Sequence, residues 1–175
     1  MKVVPTKSSL LRLKRDLLFA EEGHELLTEK KEILIAELMN FLDRARKIQD
    51  QIETELAKAY GIVLQAMIRM GRRRLSQSAL AVDVEAHISL SYRSVIGVDI
   101  PVVDVKYKDM PPYYSFLDTS VWLDEAVFSF KDVLKGIAKV ASERIAVFRL
   151  AEQLKKTIHR VNALEKIYIP EYTKT

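Results

Sequence analysis

Across residues 8–68 the apolar side chains recur at alternating spacings of three and four: Leu10, Leu13, Leu17, Ala20, Leu27, Leu34, Leu38, Phe41, Ala45, Ile48, Ile52 and Ala59. A seam of that period, held over several heptads, marks a helix that buries one stripe against another helix. Ile35, Leu42, Leu56 and Val63 widen the stripe on one side, and His24, Lys31 and Glu55 interrupt it. At 1.5 Å per residue, about sixty helical residues reach on the order of 90 Å, far beyond the usual globular helix. A helix that long needs a partner. Pro5-Thr6-Lys7-Ser8 supplies its start, because proline does not fit the helix interior and a Thr or Ser hydroxyl can accept from the first unpaired backbone N–H groups.

The partner is legible at the other end of the chain. Phe130, Val133, Ile137, Val140, Val147, Ala151, Leu154, Ile158 and Val161 repeat the same spacing, with Leu134, Ala141 and Phe148 beside them. Two seams flank one interruption, so the simplest arrangement is an antiparallel pair within one chain, a parallel homodimer being the competing one. Arg144 and Glu165 break the second seam, and polar residues at such positions either fix register or sit at an exposed edge. Antiparallel pairing also sets an expectation for register. Leu34 and Leu38 should be covered by the region around Leu150 and Leu154, whereas Leu10 and Leu13 should face positions at or beyond Thr175 and lie open.

Most of the five glycines and five prolines fall in the middle of the chain, at 61–112. There the period changes to two: Ala86, Ile88, Leu90 and Tyr92 alternate with Glu85, His87, Ser89 and Ser91 from residue 83 to residue 92. Arg93-Ser94 is the expected turn, and 95–105 is rich in β-branched residues, with Pro101 confining it to a sheet edge. A short hairpin over 83–105 follows. Two strands alone are marginal, so it folds onto the helices or waits for another protein. Residues 106–112, closing with Met110-Pro111-Pro112, read as loop, and Asp118 or Thr119-Ser120 can cap the returning helix. The expected fold class is therefore mainly α, a long antiparallel two-helix coiled coil with a short central β-hairpin. It forms a single elongated domain with a long helix over 8–70, a central region over 71–117 and a second long helix over 118–175.

The chemistry excluded is as informative. The chain has no cysteine, which rules out disulfides and thiolate metal sites and fits a reducing, cytoplasmic location. No stretch reaches the roughly 20 apolar residues of a membrane span, and 1–7 lacks the apolar core of a signal peptide. Gly-rich phosphate loops, His-Glu-x-x-His and Gly-x-Ser-x-Gly are missing, so no catalytic residue, cofactor or metal site is expected. His24, His87 and His159 lie on separate elements without companion ligands. A net charge of +4 is too balanced to announce nucleic acid, and basic residues are interleaved with acids. The densest basic run, Arg69 followed by Gly71-Arg72-Arg73-Arg74, reads either as a solvated helix end favoured by the macrodipole or as a protein contact.

Two stretches are more specific. Pro5-Thr6-Lys7-Ser8-Ser9-Leu10-Leu11-Arg12-Leu13-Lys14-Arg15-Asp16-Leu17, with Gly23-His24-Glu25-Leu26-Leu27-Thr28-Glu29-Lys30-Lys31-Glu32 after it, resembles the opening of the D subunit of V-type and archaeal-type rotary ATPases. Arg160-Val161-Asn162-Ala163-Leu164-Glu165, with Ile169-Pro170 beyond, resembles that family's stretch near the end of its last helix. The resemblance covers both flanks, while residues 72–117 are similar only in kind. It implies a non-catalytic central rotor shaft without a cofactor, coupling ATP hydrolysis or synthesis in a hexamer of A and B subunits to rotation of a membrane ring. It also implies contacts with the small F subunit and with the socket subunit above the ring, no nucleic acid, no direct membrane insertion, and a cytoplasmic place peripheral to the membrane. Family chains continue as helix past the Ile-Pro step, so this chain looks truncated beside them. Candidate partner-contact residues are Lys7, Arg12, Lys14, Arg15, Arg69, Arg72, Arg73, Arg74, Arg160 and Asn162. The alternative is a stand-alone coiled-coil scaffold or adaptor, with a nucleic-acid-binding helical protein and an enzyme working through His24 or the central tyrosines further behind.

Overall fold

A computed structural model describes residues 4, 6–82, 85–108, 114–115, 117 and 119–175. Along the chain these form α1 (Lys7–Met70), α2 (Arg72–Ala81), β1 (Ala86–Val95), β2 (Val98–Tyr107), α3 (Val121–Ala163), a π-helical turn (Leu164–Tyr168) and α4 (Ile169–Lys174). The fold is mainly α with a two-stranded central hairpin. Pro5, Asp83, Met110-Pro111-Pro112 and Asp118, which carry a start signal, a strand end, a loop and a cap in the sequence pattern, lie outside the described residues.

Both long helices begin on a hydroxyl. Thr6 Oγ1 accepts from the Ser9 N–H at 3.2 Å, and Ser120 Oγ accepts from the Trp122 N–H at 3.4 Å. Each satisfies one of the donors that a helix start leaves open. At the far end of α1, Gly71 takes φ +79°, a conformation that a Cβ disfavours, and the chain starts again as α2. This corrects one expectation: Arg72, Arg73 and Arg74 do not finish a helix but open one, and only Arg69 sits in the last turn of α1. The macrodipole argument reverses with it, because a cation at an exposed helix N-terminus is unfavourable by about 0.3–1 kcal/mol.

The chain divides into two compact units, residues 1–41, 96–98 and 147–175, and residues 42–95 and 99–146. In the first, Leu34 and Leu150 are completely enclosed, with Ala20, Phe41 and Val161 buried beside them in the seam. The pairing runs antiparallel: Ala20, Gly23 and Leu27 of α1 share a groove with Leu164, Tyr168 and Tyr172, while Leu10 and Leu13 share another with Thr175. Leu10 is more than half exposed, as its register demands. In the second unit Ala59, Ala66, Leu123, Ala126, Val133 and Ala146 are buried. Its order is again antiparallel, with the Arg69 guanidinium over Trp122, Tyr60 edge-on to Phe130, Ile52 against Gly136 and Gln49 hydrogen-bonded to Arg144.

The first seam holds except that Ile35 is exposed, and Leu13, expected to lie open with Leu10, is half-buried. The second slips. Ile137, Ala151 and Ile158 are exposed, as are Leu134, Ala141 and Phe148, and the inward positions include Gly136, Ala146, Leu150 and Thr157 instead. Small residues at those places let the helices approach, and Thr157 returns its hydroxyl to the Gln153 carbonyl at 3.0 Å, so its burial leaves no donor unpaired. Arg144 is an edge residue, reaching the Gln49 Oε1 at 2.9 Å.

The hairpin turns at Ile96-Gly97, not at Arg93-Ser94, and both residues have positive φ, +54° and +75°. Two such residues match the tight reversal that suits strand twist, although a β-branched residue there is strained. Glu85 accepts from the Lys108 N–H at 3.2 Å and pairs with its ammonium at 3.0 Å, which fixes the register. Odd-numbered residues of β2 then point their N–H groups away from β1. Val103 uses its own on Ser142 Oγ of α3 at 3.0 Å, and Pro101 has none to lose. The hairpin is thus docked through β2, where Ile100 is buried, whereas β1 is exposed along nearly its whole length, with Ile88, Leu90 and Tyr92 each more than 60% exposed.

Beyond α3 the helix does not stop at Pro170. The Ile169 N–H donates to the Leu164 carbonyl, five residues back, and α4 continues to Lys174. Proline lacks an N–H and its ring clashes with the carbonyl four residues back, so a wider turn just before it removes the conflict.

Candidate partner-contact surfaces

The ten basic or polar candidates do not converge. In the first unit Lys7, Arg12, Lys14 and Arg15 are exposed on the opening turns of α1, with Arg12 only 3.9 Å from Asp16. Arg160 and Asn162 are exposed at the end of α3, just before the π turn. The antiparallel order sets these two groups at different levels of the pair, since residues 16–27 already lie beside 164–172. In the second unit Arg69 stacks on Trp122 with 6.0 Å to the ring centre, and Arg72, Arg73 and Arg74 are exposed on the first turn of α2.

Two grooves escape a reading based on charge. In the second unit α2 folds back so that Leu75 and Ala79, Val63 and Met67 of α1, and Leu123 and Phe130 of α3 enclose about 490 Å3 of largely apolar space. Among the described residues Arg72 and Lys131 are the charged ones lining it. The sequence signal was present in Leu75 and Ala79, four apart, which is the spacing of one helical face. In the first unit Phe19, Leu26, Tyr168 and Tyr172 line a second groove opposite the π turn, and Phe19 is 77% exposed. Phe19 lies off the heptad seam, which is why a count of seam positions passes over it.

Polar chemistry is sparse. Among the described residues no three His, Asp or Glu side chains gather as metal ligands. His24 is half-buried, His87 and His159 exposed. Tyr114 donates to Asp124 Oδ1 at 2.5 Å, and partial burial together with that bond and the carboxylate charge pushes the phenol pKa up, holding it protonated. Glu143 of α3 keeps one carboxylate oxygen, Oε2, buried without a hydrogen-bond partner. His87 lies with Glu85, Lys106 and Lys108 along a further groove at the open end of the hairpin.

Comparison with known proteins agrees with the architecture. A family model described as the D subunit of ATP synthase matches residues 9–175. The chain is 37% identical to the D subunit of an A-type ATP synthase from Methanobrevibacter smithii, over 98% of this chain and 75% of that one. It is 35% identical to the A-type D subunit of Thermococcus sibiricus, over 100% of this chain and 83% of that one. It is 31% identical to the D subunit of a V-type ATP synthase from Thermotoga neapolitana, over 100% and 86%. With all but the first two residues of the long helices, the hairpin between them and the Ile-Pro step inside the matched span, the chain belongs to the family of ATP synthase D subunits.

Proposed function

We propose that the chain is the central shaft of a rotary A/V-type ATP synthase or ATPase, a non-catalytic subunit that couples ATP turnover in the A/B hexamer to rotation of a membrane ring. The observation that carries this reading is the family match across both helices, joined to a seam whose enclosed residues suit a stiff element. Torque passes along a helix pair only if the two cannot slide, and fully enclosed side chains such as Leu34 and Leu150 resist sliding. Exposed off-seam residues leave surface for the A, B, F and socket subunits. No helix among the described residues is long and apolar enough to cross a membrane, which suits a peripheral position.

The test is coupling. Leu38→Pro in the assembled complex places proline inside α1, where it costs roughly 3 kcal/mol or more and kinks the helix. Ion transport should fall far more than ATP hydrolysis. Equal loss of both in an intact complex would refute the shaft role, and failure of the chain to co-purify with the hexamer would return the scaffold reading to first place.

A further inference from the structure

We infer that the apolar groove of the second unit, closed by α2 against the end of α1 and the start of α3, docks an amphipathic helix of a partner protein whose apolar face is flanked by acidic residues. The inference rests on the reading of this chain as one member of a larger complex, and it names the chemistry of one contact.

Three observations lead to it. First, α2 is ten residues long and none of them is fully buried. A helix that short is held by tertiary packing and not by propensity, so its packing is incomplete until something occupies the groove. Second, the space of about 490 Å3 is lined mainly by aliphatic and aromatic side chains, and helices on three sides give the ridges and grooves that another helix fills. Third, the charges are of one sign. Among the described residues Arg72 and Lys131 line the groove and no acidic side chain does, and Arg73 and Arg74 follow on the same turn. That turn is the positive end of the α2 dipole and carries no acidic residue, so Arg72 and Arg73 there work against the helix they open. A carboxylate-bearing partner reverses the sign of that effect, because guanidinium groups bind carboxylates through paired donors. Gly71 sets the geometry, since its positive φ is the step that turns α2 back over α1.

The test uses the full chain and a fluorescent synthetic helix of about 18 residues, five turns, with a leucine face and glutamates on the polar face. Its twin carries lysines in place of the glutamates. Anisotropy titrations should show saturable binding of the glutamate helix and binding of the lysine twin weaker by about tenfold or more. Ala79→Trp, which fills the groove, and Arg72→Glu, which reverses an exposed charge, should each weaken the glutamate helix by a similar factor. Circular dichroism shows whether the fold is kept. The Arg72 change is at an exposed position, so it tests the proposal even if the tryptophan disturbs folding. With benzoylphenylalanine at position 79, photocrosslinks should go to the glutamate helix. Equal affinity for both helices, no binding, or binding unchanged by both substitutions would overturn the proposal. So would crosslinks to residues 109–118 of the same chain or to a second copy, or binding only to phosphatidylserine vesicles. Co-purification with the hexamer is scored separately, so a failed groove and a failed assignment to the complex give different results.

Discussion

Gly136 is where the two long helices of the second unit come closest to a measurable limit. A Cβ built on it would sit 2.8 Å from Ile52 Cγ1 and 3.1 Å from Cδ1, against a comfortable carbon–carbon separation of about 3.5–4.0 Å. Ile52 cannot easily swing aside, because a β-branched side chain in a helix has one strongly preferred χ1. Gly136→Ala therefore sets two effects in opposition. Helix propensity favours alanine by about 1 kcal/mol; overpacking a close contact costs about 1–3 kcal/mol. Contact should win, for a net loss of about 1 kcal/mol and a Tm lower by about 3 °C in a chain of this size. Gly61→Ala is the control, since nothing lies within 4 Å of a Cβ there, and it should stabilise by about 0.5–1 kcal/mol. Urea denaturation followed by circular dichroism gives both values, and a cycle with Ile52→Ala isolates the contact. In that background Gly136→Ala should become stabilising, with a coupling of about 2 kcal/mol. If Gly136→Ala stabilises the chain as much as Gly61→Ala does, close approach does not constrain this position.

Other outcomes follow from individual contacts. Leu34→Ala empties a fully enclosed site and should cost about 2–5 kcal/mol in denaturant unfolding. Ser142→Ala removes the acceptor of the Val103 N–H, so exchange of the β2 amides should speed up by roughly tenfold, equivalent to about 1.4 kcal/mol, while amides around Leu34 keep their protection. Glu143→Met exchanges an unpartnered buried oxygen for an apolar side chain of similar length and should stabilise by about 1 kcal/mol. Tyr114→Phe deletes the bond to Asp124. The raised phenol pKa means that its contribution is fully present below the unfolded value of about 10 and is lost as pH rises through the higher folded value. Stability of the wild type should therefore fall toward that of the phenylalanine variant in alkaline titration followed by thermal melts.

Long-range order was legible because it is periodic. The first seam repeats with large residues, and Leu34 and Phe41 are buried where the count places them. Phase errors arose where the helices chose small residues: Gly136 and Ala146 carry little hydrophobic signal, yet close approach puts them inward, and Ile137 and Phe148, with far more apolar surface, turn out to solvent. The hairpin was legible from alternation, but its turn was not. Arg93-Ser94 looks like a polar break, whereas the chain reverses on an isoleucine at φ +54°, a conformation that residue type argues against. α2 hid for a different reason, since a ten-residue run rich in arginine and serine has no seam of its own and is defined by what it packs against. Charge and family likeness single out the candidate contact residues, but charge says nothing of concavity, so the groove behind Leu75 and Ala79 is visible only in the folded backbone.

The wide turn at Leu164–Tyr168 changes how residues must be counted beyond it. A turn that takes in one extra residue rotates everything downstream by about 100° relative to an unbroken α-helix. An uninterrupted stripe through Val161 and Leu164 would step next to Tyr168; instead residues 169–172 are half-covered, and Tyr168, at the rim of the groove, is 48% exposed. Proline and the extra residue therefore form a linked pair in the grammar of this helix. A chain that deleted one residue from the turn would bring Tyr168 back under the stripe but drive the Pro170 ring into a carbonyl, and one that replaced Pro170 alone would lose the reason to keep the turn wide. Residue-by-residue alignment across the Ile-Pro step is accordingly out of phase by one position with any relative that lacks both, and its tyrosines should be matched by face, not by number.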